Sequence, residues 1–172
     1  MGFINSNLLK QHLRSILVET GSGDGGGIIL AKEAGFKVVH SIELSNEYYE
    51  ITRKRTAHLK GVHLWQGDSA LCLKNIIRGI DEPITFWLDA HFSSPGTATG
   101  IHYDYVDQAV AELEQIAQHP IKTHHILIDD IGHSEKLNAA ILAVNPEYAI
   151  SIVEGKGSKI VVATLNAVNS KQ

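Results

Sequence analysis

The stretch Val18-Glu19-Thr20-Gly21-Ser22-Gly23-Asp24-Gly25-Gly26-Gly27 constrains this chain more than any other. Residues 15–18 before it are apolar and β-branched, as in a short strand, and Ile28-Ile29-Leu30-Ala31 after it form the buried face of a helix. A strand that runs through a glycine-rich turn into a helix presents unpaired backbone N–H groups and the positive end of a helix dipole. Glycines are required where a Cβ would block backbone approach or a positive φ is needed. The turn is therefore the seat expected for a nucleotide-type cofactor, and the rest of the sequence bears on which one.

The chain after the turn alternates between the two periods. Strands are expected at residues 15–20, 37–44, 62–66, 84–88 and 124–128, and helices at 25–34, 46–58, 70–78, 104–118 and from 134 or 135 to 144. Gly35 stops the first of these helices and Pro146 follows the last. Tyr48, Tyr49 and Ile51 are read as the inner face of the second helix, and Val106, Val110, Leu113 and Ile116 or Ala117 as that of the fourth. Ile84-Thr85-Phe86-Trp87-Leu88 is a continuous apolar run, as expected of a central strand covered on both faces. Two further strands, 148–153 and 159–165, flank a Gly-Lys-Gly-Ser turn and read as a hairpin. Five strand–helix units imply a mostly parallel sheet with right-handed crossovers and helices on both faces, and the hairpin adds one antiparallel strand. One domain is expected over residues 1–172, with a short helix inside 1–14 and a polar, frayed tail at 166–172.

In such sheets ligands bind beyond the carboxyl ends of the strands. The acids collect there: Glu19, Glu43, Asp68, Asp89, and Asp129 with Asp130. Composition narrows the partners. With 15 basic and 19 acidic residues the net charge is −4, which gives no electrostatic case for nucleic acid or an anionic membrane. A small-molecule partner is expected instead. Cys72 is the single cysteine and fits a reducing compartment, and no apolar run is long enough to be a signal peptide or a span, so a cytoplasmic protein is expected. Ten histidines are scattered along the chain and most read as surface residues, while Trp65 and Trp87 read as core.

Gly21-Ser22-Gly23-Asp24-Gly25-Gly26 matches the dinucleotide pattern GxGxxG, and Glu43 follows Gly23 by twenty residues. An NAD-dependent oxidoreductase is one reading. Three features point elsewhere. Glu19 precedes the first glycine, where it repels a pyrophosphate and attracts a cationic sulfonium amino acid. Asp68 ends the third strand in a Gly-Asp-Ser turn, suited to an adenine amine, although it also suits a helix cap. The closing hairpin is the third. Together, Glu19-Thr20-Gly21-Ser22-Gly23-Asp24-Gly25, Glu43, Asp68 and the hairpin resemble the class I S-adenosylmethionine-dependent methyltransferases over residues 15–165.

That resemblance implies a Rossmann-like, doubly wound, seven-stranded α/β sheet in the order 3-2-1-4-5-7-6 with strand 7 antiparallel. It implies that S-adenosyl-L-methionine lies against Glu19, Gly21, Ser22, Gly23, Gly25, Glu43, Leu44, Asp68, Ser69 and Asp89. Within the superfamily, Asp89 with the pair Asp129-Asp130 resembles the Mg²⁺-dependent O-methyltransferases of the catechol and macrolide or aminocoumarin sugar types. This implies Mg²⁺ on Asp89, Asp129 and Asp130, with His91 and Asp89 as the catalytic pair and an oxygen of a small hydroxylated molecule as the acceptor. The long N-terminal helices of those enzymes have no counterpart here, so the loop 92–103 or a second subunit, as in a homodimer, is expected to close the site. A cofactor-fold module without catalysis, serving as a binding subunit, is the other competing reading.

Overall fold

In the computed structural model the described residues are 6–90, 98, 100–102, 104–132, 134–155 and 157–166. In chain order they form α1 (Ser6–Gln11), β1 (Ile16–Thr20), α2 (Gly26–Ala34), β2 (Val38–Glu43), α3 (Asn46–Thr56), β3 (Val62–Gln66), α4 (Ser69–Ile77), β4 (Ile84–Leu88), α5 (Tyr105–Ile116), β5 (His125–Ile128), α6 (Glu135–Val144), β6 (Tyr148–Glu154) and β7 (Lys159–Leu165). The sheet order is β3-β2-β1-β4-β5-β7-β6. Strands β3, β2, β1, β4 and β5 are parallel neighbours, while β7 is antiparallel to both β5 and β6. The order is the one the resemblance implies, and the reversed strand is as expected from the hairpin.

β1 and β4 hold the centre because they can be covered on both sides, and all five residues of each are buried. Alternation along them divides the core. Val18, Phe86, Leu88, Ile126 and Ile128 face Leu73, Leu113 and Leu137 of α4, α5 and α6. Leu17, Trp87, Leu127 and Val162 face Leu9 of α1 and Ile28 and Ala31 of α2 on the other side. Gly35, at φ 113°, ends α2 and returns its N–H to the carbonyls of Ala31 and Lys32.

The α3 face differs from its expected orientation. On α3 the buried residues are Thr52 and Thr56, while Tyr48 and Ile51 are 38% and 40% exposed. α3 packs its small hydroxyl side against the glycine turn, where bulkier side chains do not fit. On α5, Leu113 and Ile116 are buried and Val106 packs partly buried against the core, as expected, while Gln108, Ala109, Glu112 and Gln115 are buried as well. Trp87 is core as expected, but Trp65 on edge strand β3 is 42% exposed and stacks on His40. Among the histidines, His119 and His124 are buried.

Candidate functional site

Because the five parallel strands run the same way, their carboxyl ends form one rim. Glu19 lies at the end of β1, Glu43 ends β2, Asp68 follows β3, Asp89 follows β4 and Asp129 follows β5. β7 runs antiparallel beside β5, which brings the β6–β7 turn to the same rim, and Ser158 of that turn donates to Asp129 Oδ1 at 2.6 Å.

The β1–α2 turn is built on positive φ at Gly21 (80°), Gly23 (51°) and Gly25 (82°). At Gly21 a Cβ would lie 2.5 Å from the Asp89 carbonyl oxygen, so this glycine lets the β1 and β4 turns meet. The Gly21 N–H is taken by the Ile42 carbonyl of β2. The turn is then braced from α3: Thr52 donates to the Gly23 carbonyl at 2.7 Å, the methyls of Thr52 and Thr56 sit against Gly25, and Arg55 pairs with Asp24.

Glu43 is 8% exposed, and its carboxylate accepts the Gly23 N–H on Oε2 (2.9 Å) and the Ser45 N–H on Oε1 (2.8 Å). Burial raises its pKa, against the opposing effect of those N–H donors. The backbone N–H groups of Leu44 and Ser22 act on it in the same sense. Leu44, next in sequence, is partly buried.

Glu19 is 2% exposed and turns away from the rim crest. Ser41 donates to its Oε2 at 2.5 Å and shares a 2.6 Å hydrogen bond with Ser22. Its other oxygen lies against Gly27, where a Cβ would overlap it. Burial, reinforced by the charges of Glu43 and Asp24, pushes its pKa up to about 8 despite the Ser41 hydrogen bond. At neutral pH it is mostly a neutral, hydrogen-bonded brace between β1, β2 and α2. Gly27 makes room for it and lies just beyond the glycine pattern by which the turn was recognised.

Asp68 takes the helix-cap role as N-cap of α4, its Oδ1 accepting the Ala70 N–H at 3.0 Å. Its Oδ2 accepts the Ile101 N–H at 2.8 Å, so residues 100–101 of the β4–α5 connection rest on it. Ser69 is buried, and its hydroxyl points inward to Glu112 at 2.5 Å.

Asp89 is held by backbone bonds to Thr20, and its pKa is pushed to about 8 by burial first, then by the charges of Asp129 and Glu19. Asp129 is buried with no hydrogen-bond partner for Oδ2 among the described residues. Asp130 is exposed at φ 53°, a left-handed conformation that Asp tolerates better than most residues. Among the described residues no three His, Cys, Asp or Glu side chains are grouped to hold a metal ion. Of the trio expected to carry Mg²⁺, Asp129 lies near enough to Asp89 for its charge to raise the Asp89 pKa, and Asp130 is exposed. His91, expected as catalytic, lies outside the described residues, as do His133 and Tyr103. A small cavity with room for about one water lies beside Asp129, walled by Ala90, Tyr105, Gln108 and Glu112.

Glu112 was not foreseen. It is 1% exposed on α5, and its pKa is pushed to about 7 by burial, against hydrogen bonds from Ser69, Gln108 and Thr20. The available signal was Gln108, Glu112 and Gln115 at helical spacing beside Leu113 and Ile116, a polar stripe inside an apolar face.

A sheet of this order, with strand 7 reversed and a glycine turn after strand 1, is the class I methyltransferase fold. Comparison with solved structures agrees. The chain is similar to the O-methyltransferase from Bacillus cereus in complex with SAH, at 17% identity and TM-score 0.65, over 92% of this chain and 78% of that one. It is also similar to a rRNA methylase from Streptococcus thermophilus, at 15% identity and TM-score 0.59, over 93% of each chain. Aeropyrum pernix fibrillarin with natively bound S-adenosyl-L-methionine matches at 12% identity and TM-score 0.63, over 92% of this chain and 73% of that one. No protein-family model and no curated protein matches the sequence. At these identities the likeness is one of fold. No described helix is long and apolar enough to cross a membrane.

Proposed function

We propose that this chain is an S-adenosylmethionine-dependent methyltransferase acting on an oxygen of a small hydroxylated molecule. The observation that carries it is Glu43, whose carboxylate is fixed by the N–H groups of Gly23 and Ser45 at the end of β2. A carboxylate held in this way at the end of β2 suits the hydroxyls of a ribose, beside a glycine turn open to close approach. Glu43 would serve the ribose of NAD equally well. The reversed β7 between β5 and β6 favours the methyltransferase reading, since the dinucleotide fold continues with parallel strands.

In this reading Gly21, Ser22, Gly23 and Gly25 give backbone approach and Glu43 and Leu44 hold the ribose side. Asp68 and Ser69 form the adenine side, and Glu19 braces the turn from beneath. Methyl transfer from a sulfonium is an in-line displacement in which the acceptor oxygen gains the methyl and loses its proton. The ionised fraction of Asp89, a minority at neutral pH because its pKa is raised to about 8, takes that proton. Asp129 beside it accepts a hydrogen bond from the acceptor. The proposed transfer uses the chain's own carboxylates, with no step through a metal ion. The negative charge of the chain suits a small acceptor better than RNA.

The test is calorimetry with S-adenosylmethionine, S-adenosylhomocysteine and NADH. Micromolar binding of the first two and none of NADH is expected, and Glu43→Ala should weaken both by at least about tenfold, or about 1.4 kcal/mol. Binding of NADH alone, or of none of the three at millimolar concentration, would overturn the reading.

A further inference from the structure

A single carboxyl joins three of the rim turns from below. Glu112 Oε1 accepts the hydroxyl of Ser69 at 2.5 Å and the amide of Gln108 at 3.2 Å, and Oε2 accepts the hydroxyl of Thr20 at 3.3 Å. Thr20 is the last residue of β1, directly before Gly21, and its Oγ1 accepts the Asp89 N–H at 3.2 Å. Ser69 directly follows Asp68. One chain of hydrogen bonds thus runs from Glu112 through Thr20 to the backbone of Asp89, and another through Ser69 to the Asp68 turn. Gln115 secures the second by donating to the Ser69 carbonyl at 2.8 Å and accepting the Lys74 N–H at 3.0 Å.

A hydrophobic residue would fill this space on α5 at lower desolvation cost than a buried acid. What an aliphatic side chain lacks is the ability to accept from two hydroxyls on different turns. We propose that Glu112 is a positioning residue: its buried carboxyl fixes the β1, β3–α4 and β4 turns relative to one another, and so sets the spacing between Asp68 and Asp89. The nature of what spans that distance rests on the methyltransferase reading, but the coupling of the turns does not. The groups facing Glu112 are Thr20 of β1, Ser69 of α4, and Gln108 of α5. Asp68 acts on it by charge, and Asp129 and Tyr105 share its cavity.

The experiment is a pH series of ¹H–¹⁵N spectra on the ligand-free protein and on Glu112→Gln, whose amide nitrogen cannot accept a second hydroxyl. In the wild type the amides of Thr20, Ser69 and Asp89 are expected to share one inflection, distinct from Asp89's own. In Glu112→Gln that shared inflection disappears, all three amides shift, and S-adenosylhomocysteine binds about tenfold more weakly. Rescue to more than half the wild-type affinity is not expected from Glu112→Asp, whose shorter arm cannot span both hydroxyls. Thr20→Val cuts one branch only and should move Asp89 but leave Ser69 in place, which serves if Glu112→Gln does not fold. Independent inflections at the three amides, or wild-type affinity in Glu112→Gln, would overturn the proposal. A wild type that binds no S-adenosylhomocysteine would sink the methyltransferase reading alone, and the spectra would still decide this one.

Discussion

Gly27 and Glu19 show how closely the turn is fitted at the scale of single residues. Glu19 is buried under α2, tied to Ser41, and one of its oxygens occupies the volume that a Cβ on residue 27 would need. Gly27→Ala is therefore expected to destabilise by about 1–3 kcal/mol, the range for overfilling a packed interior. Adding Glu19→Ala should recover part of that loss, because it removes the atom in the way. Urea denaturation of the single and double variants measures this as a non-additive cycle. Additive losses would show that the glycine is needed for another reason.

At the scale of elements, α3 does for the glycine turn what a longer loop cannot. The Ser45 hydroxyl caps it, and Thr52, about two turns on, bonds the Gly23 carbonyl. Thr52→Val keeps the shape but leaves that carbonyl without its donor, a loss of about 1 kcal/mol in stability. The Arg55–Asp24 pair is roughly half exposed, and such pairs contribute under about 1 kcal/mol and weaken with salt. Thr52→Val is thus expected to weaken S-adenosylhomocysteine more than Arg55→Ala does at 0.5 M salt, as read by calorimetry. The sequence displayed α3 as a helix but pointed to its aromatic residues as the inner face. Periodicity locates an amphipathic stripe; it does not register that the neighbouring surface is a glycine turn that only Thr52 and Thr56 can approach. α5 is the converse case. Its polar stripe Gln108-Glu112-Gln115 was visible as a pattern, but burial assigned it to the inside, because the hydroxyls it satisfies come from β1 and α4.

The whole molecule carries two titrating layers of opposite sign. At the rim, Glu19 and Asp89 are raised to about 8 and Glu112 to about 7, so the folded state holds protons that the unfolded chain releases from about pH 4 upward. Their contribution to stability is complete below those ordinary values and is lost as pH rises through 7 to 8. On the sheet itself and at its opposite end, His40, His124 and His125 are lowered to about 4, chiefly by burial. Their contribution is present above about pH 6.5 and is lost as pH falls toward 4. The two slopes oppose each other between about pH 4.5 and 6.5, and above that only the acids act. The urea midpoint is expected to fall from pH 6.5 to 8.5, and to fall less in Glu19→Gln, whose side chain does not ionise. A midpoint that rises over this range would contradict the burial of the rim acids.

The sequence by itself determined the alternation of strand and helix, the glycine turn, the reversed hairpin, and the placing of an acid at each parallel strand end. These are local periodicities and chain-order facts, and right-handed crossovers leave few sheets that satisfy them. Only the tertiary structure decided what each acid does. Glu19 became a buried brace, Asp68 a helix cap under residues 100–101, Asp130 an outward-turned residue, and Glu112 the link between turns. Those roles depend on which groups meet across α2, α3 and α5, and on how much water is left around them, which no spacing along the chain encodes.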